Sequence, residues 1–146
     1  MDDRINRAVM RMAEMAEENL NCSQILLGLG LEEMGVKNDE LMKAIGGLAD
    51  GAGFLKGTCG ALTGGSCLLA LFHGRVQGAT RTERLEMMQE DLGEWFTGHF
   101  GARHGGIRCA DIAGDLIGTP EVKQICGVVV VETYVKVLEL LAENAV

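Results

Sequence analysis

Aromatic residues make up only 4% of this 146-residue chain, although 47% of it is apolar. The interior therefore has to be filled by Leu, Met, Val, Ile and Ala, a mixture that suits helix-on-helix packing and offers little to a sheet. Basic charge is scarce as well: 13 Lys and Arg stand against 21 Asp and Glu, a formal net charge of −8, and no basic cluster stands out. Such a chain repels phosphate backbones and anionic lipid, so neither nucleic acid nor a membrane is an expected partner. No proline-rich, serine-rich or repetitive stretch offers a linker, and one domain over residues 1–146 is the expectation. The longest uncharged run, 57–72, is too short to span hydrocarbon and is diluted by Thr58, Thr63, Ser66 and glycines, so it reads as a buried helix. The charged start Met1-Asp2-Asp3-Arg4 does not look like a secretory signal, which makes the cytoplasm the expected compartment.

What is present is helical periodicity. Ile5, Val9, Met12 and Ala16, flanked by Ala8 and Met15, predict a surface helix over 3–18. Asn21 with Gln24 three residues on resembles a capping box, so a second helix starts at Cys22 and runs to about Met34, where Gly35 stops it. Asn38 or Asp39 caps a third helix, ended by Gly51 and Gly53, and 51–57 is a flexible connection. Thr58 opens a fourth helix in which Gly60 and Gly64, and Ala61 and Gly65, form small-xxx-small pairs that admit another backbone, so this helix belongs at the centre. Thr80 or Thr82 starts a long amphipathic helix with Leu85, Met88, Leu92, Trp95, Phe96 and Phe100 inward and Glu83, Glu86, Glu90 and Glu94 outward, ended by Gly101. After a glycine-rich turn and a short segment around Cys109, Thr119-Pro120-Glu121 reads as N-cap, N1 and first turn of a last helix that runs to about Asn144. The Val-rich stretch 125–131 has strand propensity, but a lone strand would have no partner, so it is assigned to that helix. The fold class is thus all-α: a multi-helix bundle around a central Gly-rich helix.

Five cysteines, at 22, 59, 67, 109 and 126, form no CxxC pair, no haem-attachment motif and no zinc-ribbon spacing. In a reducing compartment they are thiols, metal ligands or redox partners rather than structural disulfides. Cys22, Cys59 and Cys109 fall at or near predicted helix starts, where free backbone N–H groups and the dipole should lower a thiol's pKa; Cys126 lies deeper in its helix and should gain less. Cys67, inside an apolar run, reads as a small core residue.

The runs Asn21-Cys22-Ser23-Gln24, Gly57-Thr58-Cys59-Gly60-Ala61-Leu62-Thr63-Gly64 and Gly106-Ile107-Arg108-Cys109-Ala110-Asp111-Ile112-Ala113-Gly114, followed by Cys126 in a Val-rich helix, resemble the redox-active family known by its pattern C_GCAxxG_C_C. Thr58 stands where the pattern has glycine before the cysteine. The resemblance implies a small helical redox protein without an assigned reaction. A related domain in split-Soret cytochromes holds an iron–sulfur cluster through cysteines, so by analogy Cys22, Cys59, Cys109 and Cys126 are the expected ligands. The haem-binding sequences of those cytochromes are absent here, and haem is not expected.

Three readings stay open at this stage. In the first, four thiolates hold an iron–sulfur cluster or another metal for electron transfer to a redox partner protein. The second is a metal-free dithiol–disulfide protein in which Cys59 attacks and Cys22, Cys109 or Cys126 resolves, with Cys59 and Cys109 as the leading redox thiols. The third is a helical homodimer with inert cysteines. His73, His99 and His104 show no metal-site spacing and read as packed or surface residues. The stretch 51–57 lacks the GK[ST] ending of a phosphate loop, so no nucleotide is expected. The charged residues alternate on helix faces, and no acid/base pair or nucleophilic triad emerges that would mark an enzyme.

Overall fold

The structure, a computed structural model, describes residues 3–53, 56–74 and 83–145. Its helices are α1 (Asp3–Glu17), α2 (Cys22–Met34), α3 (Asp39–Ile45), the short α4 (Ala49–Ala52), α5 (Gly60–His73), α6 (Glu83–Phe96), the short α7 (Ala102–His104) and α8 (Cys109–Ile112), and α9 (Val122–Glu143). No strand ladder is found among the described residues; the one β-type contact is an isolated antiparallel bridge between Thr58 and Arg108. The all-α architecture expected from composition and periodicity is the one observed.

Helix α5 is the central element because it carries almost no bulk where its neighbours cross. On one side, a methyl group built on Gly64 would lie 2.9 Å from Cα of Ser23, and one on Gly60 would collide with Sγ of Cys22. These two glycines seat α2 directly on α5. On the other side, Ala61 is fully buried, and a methyl on Gly65 would lie 3.1 Å from Thr133 Cγ2 and 3.2 Å from Leu92 Cδ2. That face receives α6 and α9. The core then fills with Leu26, Leu68, Leu69, Met88, Leu92, Phe96, Phe100 and Val137, all of them at or below 1% exposure.

The caps on α2 and α3 follow the sequence. The Asn21 N–H donates to Gln24 Oε1 at 3.1 Å, Gly35 ends α2 in the left-handed region at φ +70, and the Leu41 N–H donates to Asn38 Oδ1 at 3.0 Å. In α1 the buried stripe is Ala8, Met12 and Met15, while Val9 is 36% exposed and sits at its edge. The Val-rich stretch is helical, as α9 runs unbroken through it.

Several boundaries differ from expectation, each for a local reason. α3 stops at Ile45 and gives way to a 3₁₀ turn, Gly46–Leu48, because Ser23 Oγ and Gln24 Nε2 on α2 donate to the carbonyls of Ile45 and Met42 and hold the chain there. Helix α5 begins at Gly60, not Thr58, because 56–59 is drawn into backbone pairing with 107–110. Gly101 does not end α6: Thr97–Gly101 continues as a π turn that keeps Phe100 buried, α7 follows, and Gly105 at φ +81 makes the stop. Thr119 does not cap α9, since its hydroxyl donates to the Leu116 carbonyl at 2.7 Å and the helix starts at Val122. The expected start of α6 at Thr80 or Thr82 lies outside the described residues.

If the α2–α5 contact rests on missing side chains, Gly64→Ala should cost about 1–3 kcal/mol in denaturant unfolding, an overpacking penalty. Gly93→Ala on α6, where the added methyl meets nothing within 4 Å, should instead gain about 0.5–1 kcal/mol. Equal effects at the two positions would remove the packing argument.

Candidate functional site

Four separate segments deliver four cysteines to one cavity. Cys22 is the first residue of α2, Cys59 the cap of α5, Cys109 the first residue of α8, and Cys126 lies in the first half of α9. All four line the same small cavity of about 20 Å³, closed by Gly60, Ala61, Ile112, Ala113, Val129 and Val130 and joined by one carboxylate, Asp50. A space of that size holds about one water molecule.

Two backbone devices bring these segments together. In the first, Cys59 N–H donates to the Ile107 carbonyl at 2.9 Å and Cys109 N–H to the Gly57 carbonyl at 2.6 Å, around the Thr58–Arg108 bridge. Cys59 and Cys109 each follow a bridge residue by one position, so they share a face of this two-segment pairing. In the second, the turn after α3 runs left-handed at Asp50 (φ +57), Gly51 (φ +68), Ala52 (φ +62) and Gly53 (φ +75). Gly51 is needed there, since a side chain would strike the backbone of Lys56 and Gly57, and its carbonyl accepts the Gly57 N–H at 2.9 Å. This turn lays Asp50 against the cysteines. Neither device was visible in the sequence; an Asp-Gly pair signals a turn, but not what the turn faces.

The electrostatics correct one expectation. The helix-start cysteines were expected to be acidified, yet every thiol of the set is pushed upward. Burial lifts Cys59 to about 12 and Cys126 to about 11, and Cys22 and Cys109 rise from 9.0 for the same first reason. The helix ends do contribute in the foreseen direction: amides of Ala61 and Leu62 face Cys59 and that of Ser23 faces Cys22, and the Asp50 amide of the left-handed turn adds to the last, all favouring the anion. Desolvation of a sulfur anion among Val, Ile and Ala outweighs them. Asp50 and the neighbouring thiols add repulsion, with Cys22 acting on each of the other three, while Lys56 offers Cys109 a modest counter-charge.

Cys67 is elsewhere, packed against the small cluster of Leu27, Leu31 and Ile45, in agreement with its reading as a core residue. None of the histidines lines the cysteine cavity. His99 stacks on Trp95 at 5.0 Å and lies 3.5 Å from Glu132 Oε2, His104 ends α7, and His73 ends α5. Among the described residues no three Cys, His, Asp or Glu side chains converge closely enough to hold a single metal ion as they stand. Among the described residues no helix is long and apolar enough to cross a membrane.

The raised thiols carry a stability signature. A thiol that keeps its proton longer in the folded state contributes stability that is fully present below 9.0 and is lost as pH climbs through about 11 and about 12 for Cys126 and Cys59. The denaturant midpoint of the reduced protein should therefore fall as pH rises from about 8 toward about 10.5. Cys59→Ala with Cys126→Ala should flatten that fall; an equally steep decline in the double variant would show that other groups cause it.

Comparison with known proteins finds one family, described as "Putative redox-active protein (C_GCAxxG_C_C)", whose model spans residues 20–140. No curated protein and no solved structure matches. The matched span begins just before Cys22 and ends in α9, so it takes in every side chain of the cavity, and the chain belongs to the C_GCAxxG_C_C family of redox-active proteins.

Proposed function

We propose that this is a small cysteine-dependent redox protein whose working group is the set Cys22, Cys59, Cys109 and Cys126. The observation that carries this reading is the delivery of four thiols from distant segments to a single water-poor cavity. A buried apolar role for each would not require them to meet. Reduced thiols of this kind suit a reducing compartment, and the cytoplasm and a protein redox partner belong to the same reading.

In the form we favour, the four sulfurs hold an iron–sulfur cluster. The donor set fits that group: four soft thiol ligands with no imidazole among them, and backbone amides already aimed at two of the sulfurs. The cavity as it stands has room for about one water molecule, so loading would require its walls to move apart. Bound there, the cluster would supply one-electron transfer. The chain's own part is to release four protons to solvent on loading, to steady anionic sulfur with the amides of Ser23, Asp50, Ala61 and Leu62, and to exclude water with Ile112, Val129 and Val130. The raised thiols weigh against a metal-free form, because a thiol that keeps its proton is a poor attacking thiolate, and on loading a metal would have to displace those protons.

The small cavity supports a second form. There, two thiols of the set lose two electrons and two protons and join as a disulfide, while the disulfide of a partner protein takes them up and becomes two thiols. Cys59 and Cys109 lead as the redox thiols, with Cys22, Cys109 or Cys126 as the thiol that resolves Cys59. A third possibility, a homodimer with inert cysteines, has no comparable support.

Iron and sulfide analysis of protein purified without oxygen separates the forms. The cluster form expects stoichiometric iron and sulfide in the intact chain and their loss in Cys22→Ala, Cys59→Ala, Cys109→Ala and Cys126→Ala, with Cys67→Ala unaffected. Full loading in the Cys59 or Cys109 variant sinks it. Absence of iron together with reversible loss of two free thiols on mild oxidation selects the dithiol form. Neither iron nor reversible oxidation defeats both.

A further inference from the structure

Three of the four segments that meet at the cysteine cavity, α2, α5 and α9, are long helices packed on one another. The fourth is not. Residues 105–118, which deliver Cys109, hold only the four-residue α8 and a 3₁₀ turn, Gly114–Leu116, and of these residues only Ile112 and Ala113 are buried. Their backbone reaches the neighbouring segment through three hydrogen bonds: Cys59 N–H to the Ile107 carbonyl, Cys109 N–H to the Gly57 carbonyl and Ala110 N–H to the Lys56 carbonyl. Both ends are glycines in the left-handed region, Gly105 at φ +81 and Gly118 at φ +85, and a methyl on either would meet nothing within 4 Å. Glycine therefore supplies backbone freedom there rather than room, and backbone freedom is what a hinge uses.

A cavity that holds about one water molecule admits nothing larger until a wall moves. Parting α2 from α5 would undo the contact seated on Gly60 and Gly64, and lifting α9 would bring Val129, Val137 and Leu140 into water. Swinging 105–118 outward breaks three hydrogen bonds and uncovers Ile112 and Ala113, the least apolar surface of the three movements. Cys109 travels with that segment, while Cys22, Cys59 and Cys126 stay on the packed helices. Even in the closed form Cys109 is the least enclosed of the four, with the cation of Lys56 nearby.

We propose that residues 105–118 are the movable wall of the cysteine cavity, turning on Gly105 and Gly118, and that Cys109 is the sulfur a thiol-seeking centre meets first. The role given to Cys109 rests on the reading of the four cysteines as one working site; the hinged wall does not.

The first measurement is amide hydrogen exchange of the full-length protein, purified without oxygen and resolved by NMR. The amides of Cys59, Cys109 and Ala110 should share one opening and exchange about tenfold or more faster than those of Leu68 and Leu69 in α5. Gly57 N–H, which donates to the Gly51 carbonyl instead, should not share that opening. The second is iodoacetamide labelling of the same reduced preparation, mapped by mass spectrometry, with each cysteine's rate divided by its rate in the unfolded chain. Cys109 should be the least protected of the four. Gly105→Ala strains the closed hinge and should raise labelling of Cys109 by about fivefold to thirtyfold. Gly105→Asn, which accepts left-handed backbone more readily, should raise it less.

Exchange of the three amides only at the rate of Leu68 and Leu69, or at unrelated rates, overturns the movable wall. Protection of Cys109 equal to or above that of Cys22, Cys59 or Cys126 overturns its place as the first sulfur met, and an unchanged rate in Gly105→Ala overturns the hinge. If Gly105→Ala fails to fold, the exchange pattern and labelling order of the unaltered chain decide. Failure of the redox reading would show separately, as neither iron nor reversible oxidation, with the exchange pattern intact.

Discussion

The rest of the structure depends on how closely α2 lies against α5. Gly60 and Gly64 leave a flat track on α5, and the first turn of α2 occupies it so fully that Cys22 Sγ rests where a side chain of residue 60 would stand. One contact therefore sets both the packing of the central helix and the position of a thiol beside Cys59. This gives a physical meaning to the spacing Cys59-Gly60-Ala61-x-x-Gly64. The cysteine supplies the sulfur, the first glycine makes room for a second sulfur, the alanine closes the cysteine cavity, and the last glycine admits the backbone of Ser23. Side chains at these positions would push the helices apart before they altered any chemistry.

Two opposing influences meet at the cysteines. Helix-end amides stabilise sulfur anions, and burial among aliphatic side chains disfavours them; burial wins at all four positions. The thiols thus keep their protons, next to amides that at Cys22 and Cys59 are oriented for an anion. The carboxylate of Asp50 adds to the repulsion that keeps bare thiolates from accumulating.

Much of the architecture was legible because it is written in short-range chemistry. Asn21 with Gln24, Asn38 and Gly35 mark helix ends through hydrogen bonds that span three or four residues, and the small residues of α5 announce a close crossing. What escaped depends on partners distant along the chain. Nothing in 56–59 or 107–110 has strand periodicity, and their pairing is a few backbone bonds between segments some fifty residues apart. Gly101 looks like a stop, but Phe100 needs the core and the helix widens into a π turn to keep it there. For the cysteines, the sequence pattern indicated which ones belong together, while their protonation turned on a degree of burial that only the assembled helices reveal. Asp50-Gly51 marked a turn but carried no sign that its carboxylate would join the cysteines.

The bridge between Thr58 and Arg108 bears on how the protein matures. Cys59 and Cys109 become neighbours only after the whole of α5 and α6 has been laid down and folded back, and Cys126 arrives later still on the last helix. Closing such long loops is entropically slow compared with forming any one helix. A chain still emerging from the ribosome therefore gathers its thiols in stages, Cys22 and Cys59 through the α2–α5 contact and Cys109 and Cys126 afterwards, and the finished cavity is a mark that folding has been completed.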